Sequence, residues 1–281
     1  MRITILGASG FIGRHLCVAL ERRGDDVTAS SLRDLDGAVR ACAGADVVVN
    51  LAGASVAGKR WTPAYKEQIR ATRVDLPRAL IARLAELPDT PRAYISASAV
   101  GYYGTSETAT FTEASAPGTD FLAQTCIAWE AEALRARAAG MRVALVRTGI
   151  VLGLDGGALA QLLPIFKLGG GGNVASGEQW YSWIHIADQV GIYLGAIDGY
   201  DGILNATAPN PVRNNEFTRA FAGALHRPAF LPVPEFALRL LYGEGADVVT
   251  KGQRVLPEAT LASGYHFKYP EIDGALRALV E

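Results

Sequence analysis

Five runs in the first half of the chain are short and mostly apolar: RITIL (2–6), DVTAS (26–30), DVVVN (46–50), RAYIS (92–96) and RVALVR (142–147). Strict polar/apolar alternation would mark strands wet on one face. Near-continuous apolar runs instead suit strands covered on both faces, the condition of a parallel sheet. Between these runs the apolar positions recur every three to four residues, which predicts helices over roughly 11–22, 36–42, 64–86 and 120–138. Strand–helix alternation builds βαβ units, so the predicted class is α/β, a Rossmann-type doubly wound parallel sheet.

Beyond Arg147 the pattern loosens. LGGGG (168–172) is a glycine-rich loop, and EQWYSWIHIADQV (178–190) reads as a strand running into a helix. A short strand near 203–206 and a helix near 215–225 precede a C-terminal stretch rich in proline, glycine and aromatics. Residues 1–150 and 184–205 are expected to form the nucleotide-binding domain. Residues 151–183 and 206–281 are expected to form a smaller, discontinuous C-terminal substrate lobe over the C-terminal edge of the sheet. No repeat, low-complexity tract or flexible linker separates them, which predicts that they pack as one unit.

Composition narrows the function. Hydrophobic residues make up 49% of the 281, yet no uncharged run reaches the roughly 18 residues of a membrane span. The net charge of −1 and the pI near 6.4 give no electrostatic footprint for nucleic acid or an anionic membrane. Cys17, Cys42 and Cys126 stand singly, without metal-ligand spacing. They read as reduced apolar filler in a cytoplasmic protein with no metal site. The opening MRITILGASG reads as a strand and lacks the charged, apolar, small pattern of a secretory signal.

The strongest motif is GASGFIG, directly after the first strand and before a helix. Gly7 permits the tight turn, Gly10 leaves room where backbone approaches a pyrophosphate, and Gly13 lets helix and strand pack closely. The N–H groups around Ser9, Phe11 and Ile12 would then face the phosphates at the positive end of the helix. The spacing is GxxGxxG rather than GxGxxG. An acid at the tip of the second strand would hold the ribose of NAD, whereas an arginine there accepts the 2′-phosphate of NADP. That tip reads TASSLRD, with Ser31 and Arg33 at the expected contact points, so the predicted cofactor is NADP (NADPH). Leu51, Ala52 and Gly53 of NLAGA, at the end of the third strand, are expected beside the adenine ribose and diphosphate, and Arg147 is a further candidate cofactor contact.

GASGFIG, NLAG, SASAVGYYG (96–104) and RTGIVLG (147–153) follow one another as in the extended short-chain dehydrogenases/reductases, and the chain resembles that superfamily. More narrowly it is similar to the atypical "epimerase family" subgroup that includes the bacterial YfcH-type proteins. The residues carrying this are GKRWTPAYKEQI (58–69), DFLAQTCIAWEAEA (120–133), SWIHIAD (182–188) and GQRVLPEATLASGYHFKYP (252–270). The resemblance spans the chain and implies the fold and an NADP-type cofactor; it implies no particular reaction. Active members of the superfamily use a tyrosine as acid/base and, four residues on, a lysine that lowers its pKa. With Glu130 setting the register, Leu122 stands at the tyrosine position and Cys126 at the lysine position. The five lysines, 59, 66, 167, 251 and 268, are preceded at four residues by Ser55, Thr62, Leu163, Asp247 and Gly264, so no YxxxK exists.

The resemblance places Ser98 where the superfamily serine hydrogen-bonds the reacting oxygen. Tyr102 and Tyr103 follow on the same loop, and Tyr103 is the candidate replacement acid/base, with packing as its alternative role. Arg60 and Trp61 suit a planar or anionic ligand and equally suit a plug between lobes. Tyr102 is a candidate substrate contact, as are Trp183 and His185 from the strand leading into HIAD, with Asp188 expected to cap the following helix. Gln253 and Arg254 either reach the cleft or tie the lobe down. Two functions remain open: an NADP(H)-dependent oxidoreductase or epimerase acting on a small carbonyl or sugar-nucleotide-like substrate, or a non-catalytic NADP(H)-binding sensor or assembly protein. A small-molecule substrate is the expected partner, and a homodimer is possible in either case.

Overall fold

The computed structural model describes residues 1–281. Four parallel strands, β1 (Arg2–Leu6), β2 (Asp26–Ser30), β3 (Val47–Asn50) and β4 (Ala93–Ala99), are joined by the strands Arg142–Thr148 and Gly202–Ala206. Across the sheet the order is Gly202–Ala206, Arg142–Thr148, β4, β3, β1, β2. The predicted doubly wound sheet is therefore present, with one difference. In the 3-2-1-4-5-6 dinucleotide order a third strand lies beyond the second. Here the chain passes from the helix after β2 straight back to β3, beside β1, so the order reverses between β1 and β3, and the ligand crevice of such a sheet opens at the carboxyl ends of those two strands.

Helices cover both faces. On one, α1 (Phe11–Arg23) lies beside the helix Ile186–Asp198, and Leu16, Leu20, Ile192, Tyr193 and Ala196 bury themselves against Ile3, Ile5, Val49 and Ile95. On the other, α2 (Leu35–Cys42), α4 (Asp75–Leu84) and α5 (Phe121–Leu134) pack Val39, Leu80, Leu84 and Ala133 over Leu6, Val48 and Tyr94. Asp34 caps α2 through Gly37 N–H, and Asp120 caps α5 through Ala123 N–H.

The single helix expected over 64–86 is divided into α3 (Pro63–Arg73) and α4, with Val74 between them at φ −112°. Pro77 explains the break: proline offers no N–H to the carbonyl four residues back, here that of Arg73, and its ring clashes with it. β4 runs three residues past its expected end and carries Ser98 and Ala99 to the edge of the sheet.

The remaining residues build a cover over that edge. The strands Ile150–Leu152 and Trp183–His185 pair in parallel, and Trp180–Tyr181 pairs with Val212–Arg213. The helices Gly157–Lys167, Asn214–Ala224 and Ile272–Val280 bury Leu159, Phe166, Phe217, Phe221 and Leu276 around Trp183. The C-terminal segment returns to the sheet: Arg254–Val255 pairs with Thr110–Phe111, and the Asn205 side-chain amide donates to Leu256 O at 3.0 Å. No helix is long and apolar enough to cross a membrane.

Candidate cofactor and ligand site

The glycine turn sits at the β1/β3 crevice. Gly7 holds φ +87°, and a Cβ there would lie 3.0 Å from the backbone of Leu51 and Ala52, so β3's exit presses on the turn. A Cβ on Gly13 would lie 2.4 Å from Gly7 O, which is the close helix–strand approach inferred from the spacing. α1 begins at Gly10 with no side-chain cap and no acid in its first turn, leaving its N–H groups and positive end to the crevice. The Phe11 ring is turned away beneath the loop at Gly153–Gly157, and Arg14 and His15 reach Asp155 on that loop. At the tip of β2, Ser31 Oγ accepts from Arg33 N–H at 3.3 Å, while the Arg33 side chain is exposed and forms no ion pair. Gly7, Ser9, Gly10, Ile12, Leu51, Ala52 and Gly53 thus share one edge, with Ser31 and Arg33 at its end.

Beyond this crevice, under the cover, lies a cavity of about 360 Å³. Leu122 and Cys126 form part of its wall, one helical turn apart, as their positions in the sequence imply. Ala99 and Val100 of β4's end, Trp61, Phe121 and Ile150 supply further apolar wall. Burial pushes the Cys126 thiol up to about 12; Glu130 adds to the rise and the Arg73 charge only partly opposes it, so the thiol stays protonated near neutrality.

Several predicted site residues lie elsewhere. Ser98 is 3% exposed, and its hydroxyl donates to Glu130 Oε1 at 2.6 Å, two turns along α5 from Leu122. The β4 residue at the cavity is Ala99. Tyr103 is also 3% exposed: its hydroxyl donates to Asn205 Oδ1 at 2.7 Å and accepts from Arg147 Nη1 at 3.0 Å. Burial pushes this phenol up to about 12, against the pull of Arg147, so it is neither placed nor tuned as an acid/base. Arg147, expected at the cofactor, is 1% exposed and turned to other groups. It grips Glu130 through two hydrogen bonds of 2.8 and 2.7 Å, and its guanidinium stacks 3.4 Å over the Tyr102 ring. Ser98, Tyr103, Glu130 and Arg147 therefore form a buried polar cluster, with the partly buried Tyr102 ring against it, that ties β4, α5 and the strand Arg142–Thr148 together.

The expected substrate contacts divide in the same way. Trp61 lines the cavity and donates to Val56 O at 2.9 Å. Arg60 instead donates to Leu240 O at 2.6 Å on the helix Glu235–Tyr242, holding the cover down from outside. Trp183 is fully buried in the core of the cover and donates to Asn210 O. His185, not Asp188, caps the helix Ile186–Asp198: its Nδ1 accepts from Ala187 N–H at 3.0 Å. The helix begins one residue after His185, which leaves Asp188 free to accept from Tyr265 Oη, Lys268 N–H and Tyr269 N–H and so to fasten the C-terminal segment. Gln253 does reach the cavity, where its amide donates to Val100 O at 2.9 Å.

Several cavity residues escaped the sequence reading, an arginine among them. Arg73, the last residue of α3, lines the cavity. It stands four residues after the buried Ile69, and that spacing puts it on the inward face of the helix.

The doubly wound sheet, the glycine turn at its switch point and the covered cavity define a dinucleotide-binding type of α/β protein. Comparison with known proteins makes this specific: the chain belongs to the NAD dependent epimerase/dehydratase family, whose model matches residues 3–208, and a domain of unknown function, DUF1731, matches residues 233–279. It is 42% identical to the epimerase family protein SDR39U1 homolog, chloroplastic, of Arabidopsis thaliana, over all of this chain and 87% of the relative. It is 38% identical to epimerase family protein YfhF of Bacillus subtilis, over 100% and 98% of the two chains. The crystal structure of human epimerase family protein SDR39U1 (isoform 2) with NADPH superposes with a TM-score of 0.93 at 34% identity, covering 99% of each chain.

Proposed function

We propose that this protein binds NADP(H) across the β1/β3 crevice and that its cavity receives a small carbonyl or alcohol for hydride exchange with the nicotinamide, without a tyrosine–lysine pair. The observation that carries the reading is the cavity of about 360 Å³ next to the crevice, a volume suited to a small molecule. Support for the phosphorylated cofactor comes from the free Arg33 side chain at the tip of β2 and from the human relative crystallised with NADPH.

The reaction has little proton-transfer machinery near it. Ser98 and Tyr103 are committed to the buried cluster, and Leu122 and Cys126 contribute apolar surface and a protonated thiol. That commitment favours a second reading, an NADP(H)-binding sensor whose cavity ligand modulates partner affinity. Following the absorbance of NADPH while small carbonyls are screened separates the two. Consumption of NADPH with any of them supports hydride transfer; tight NADPH binding with no consumption across the screen transfers support to the sensor.

A further inference from the structure

The cover carries an apolar surface that no other part of the chain shields. The helix Glu235–Tyr242 buries none of its eight residues. Phe236 and Leu240 stand one turn apart on it, each 74% exposed, and Leu241 beside them is 62% exposed. The segment leading into the helix adds Phe230 and Leu231, 71% and 51% exposed. Leu168, directly after the helix Gly157–Lys167, is 88% exposed. These segments adjoin. Leu231 N–H donates to Gly171 O at 3.0 Å and Val233 N–H to Asn173 O at 2.8 Å, so residues 230–233 run beside the glycine loop that follows Leu168. A Cβ on Gly169 would lie 3.6 Å from the Pro228 ring.

Apolar surface left in water is a cost in proportion to its area, and a partner relieves it. From their fractional exposures the six side chains present on the order of 800 Å², more than the largest apolar patch of an ordinary monomer and about what one partner buries in a standard interface.

Charge decides what meets this face. The only charged side chains of the helix, Glu235 and Arg239, pair with each other at 2.7 Å, and Arg239 also pairs with Asp247 at 3.1 Å. The face therefore offers a charged partner no net field to match. An anionic membrane is drawn by clusters of roughly four to eight Lys or Arg, and the exposed Lys167 and Arg227 of the flanking segments are too few for one. A neutral apolar face is instead complementary to itself. When two copies meet about a two-fold axis the same residues supply both sides, and two such patches together match a full standard interface.

We infer that this face, the helix Glu235–Tyr242 with Phe230, Leu231 and Leu168, is the surface through which two copies of the chain form a homodimer. The helix runs on into a segment whose Glu244, Asp247, Val248 and Lys251 line the cavity, so pairing clamps the cover where it forms one cavity wall. The dimer requires neither cofactor nor cavity ligand.

Sedimentation equilibrium of the whole protein at concentrations up to about 100 µM tests it, since interfaces of this size associate at micromolar concentration or below. Wild type should sediment at twice the chain mass. Phe236→Glu and Leu240→Glu each put a carboxylate inside the interface and should sediment as single chains. Phe236→Ser and Leu240→Ser remove apolar area without adding charge and should weaken the dimer by about tenfold or more. These side chains already face water, so all four variants should keep the far-UV circular dichroism of wild type. Leu134→Glu, at an exposed leucine on the end of α5 far from the cavity, should remain dimeric. Wild type that stays a single chain over the whole range overturns the inference. If that single chain co-sediments with phosphatidylcholine or phosphatidylserine vesicles and Leu240→Glu does not, the face serves a lipid surface instead. A dimer that persists in both glutamate variants, or that Leu134→Glu alone dissociates, also overturns it, because the copies then meet elsewhere. Should the glutamate variants lose their fold, the serine variants decide, and unchanged dimerisation in both overturns it.

Discussion

At the scale of single residues, the molecule separates groups that look catalytic from groups that are available. Tyr103 has the right chemistry for proton transfer, but Phe111 stacks on it and Val255 packs beside it from a segment 150 residues away. The returning C-terminal segment completes its burial, and no local pattern announces that. Tyr103→Phe should therefore leave NADPH binding unchanged and lower stability by roughly 1–3 kcal/mol, because Asn205 and Arg147 each lose a buried partner. Urea unfolding with a parallel NADPH titration checks both halves. Ser98 and Ala99 show how fine the register is: neighbours on a strand point oppositely, and the sequence does not say which of two adjacent small residues ends at the cavity.

His185 gives a second residue-level expectation. It is 6% exposed, its Nε2 has no partner, and its ring lies 3.9 Å from that of Tyr269. Burial pushes its pKa down to about 4, with Asp188 opposing. The unfolded chain protonates this histidine near 6.5, while the folded protein keeps it neutral. The stability it confers is thus complete above pH 6.5 and is lost as pH falls from 6.5 toward 4, at up to about 1.4 kcal/mol per unit. His185→Asn keeps an acceptor for Ala187 N–H and removes the titration. Its urea midpoint should fall less than that of wild type between pH 7 and pH 5.

At the scale of elements, α5 links the site to the core. Leu122, Cys126 and Glu130 follow one another at one-turn intervals: the first two reach the cavity, and the third takes the Arg147 guanidinium and the Ser98 hydroxyl. Glu130→Gln should cost roughly 3–5 kcal/mol, since it leaves the buried Arg147 charge without its partner. Thermal or urea unfolding measures the loss; a variant as stable as wild type would show that the pair is dispensable. Much at this scale was legible beforehand. The apolar runs located the sheet strands within a few residues, and the absence of YxxxK already implied an apolar wall at Leu122. What escaped was decided by breaks. Pro77 splits the expected long helix directly after Arg73, and the inward aim of Arg73 could have been read from its spacing to Ile69.

At the scale of the whole molecule, the sheet supplies the crevice, and the cavity lies between the sheet's helices and loops and the cover. The cover's own strands and its contacts with the sheet join residues far apart in sequence: Arg254–Val255 meets Thr110–Phe111, Asp188 holds Tyr265, Lys268 and Tyr269, and Arg60 reaches Leu240. Such pairings have no local signature, which is why composition alone gave this region only as a loosely patterned lobe.

The account turns on the cofactor, and one titration addresses it most directly: dissociation constants of NADPH and NADH for the wild type and for Arg33→Ala. The wild type should bind NADPH at least tenfold more tightly than NADH. Arg33→Ala should erase most of that preference by weakening NADPH alone, a loss of roughly 1–3 kcal/mol for one charge-assisted phosphate contact. Equal affinity of the wild type for the two nucleotides, or a preference for NADPH that survives in Arg33→Ala, would contradict it.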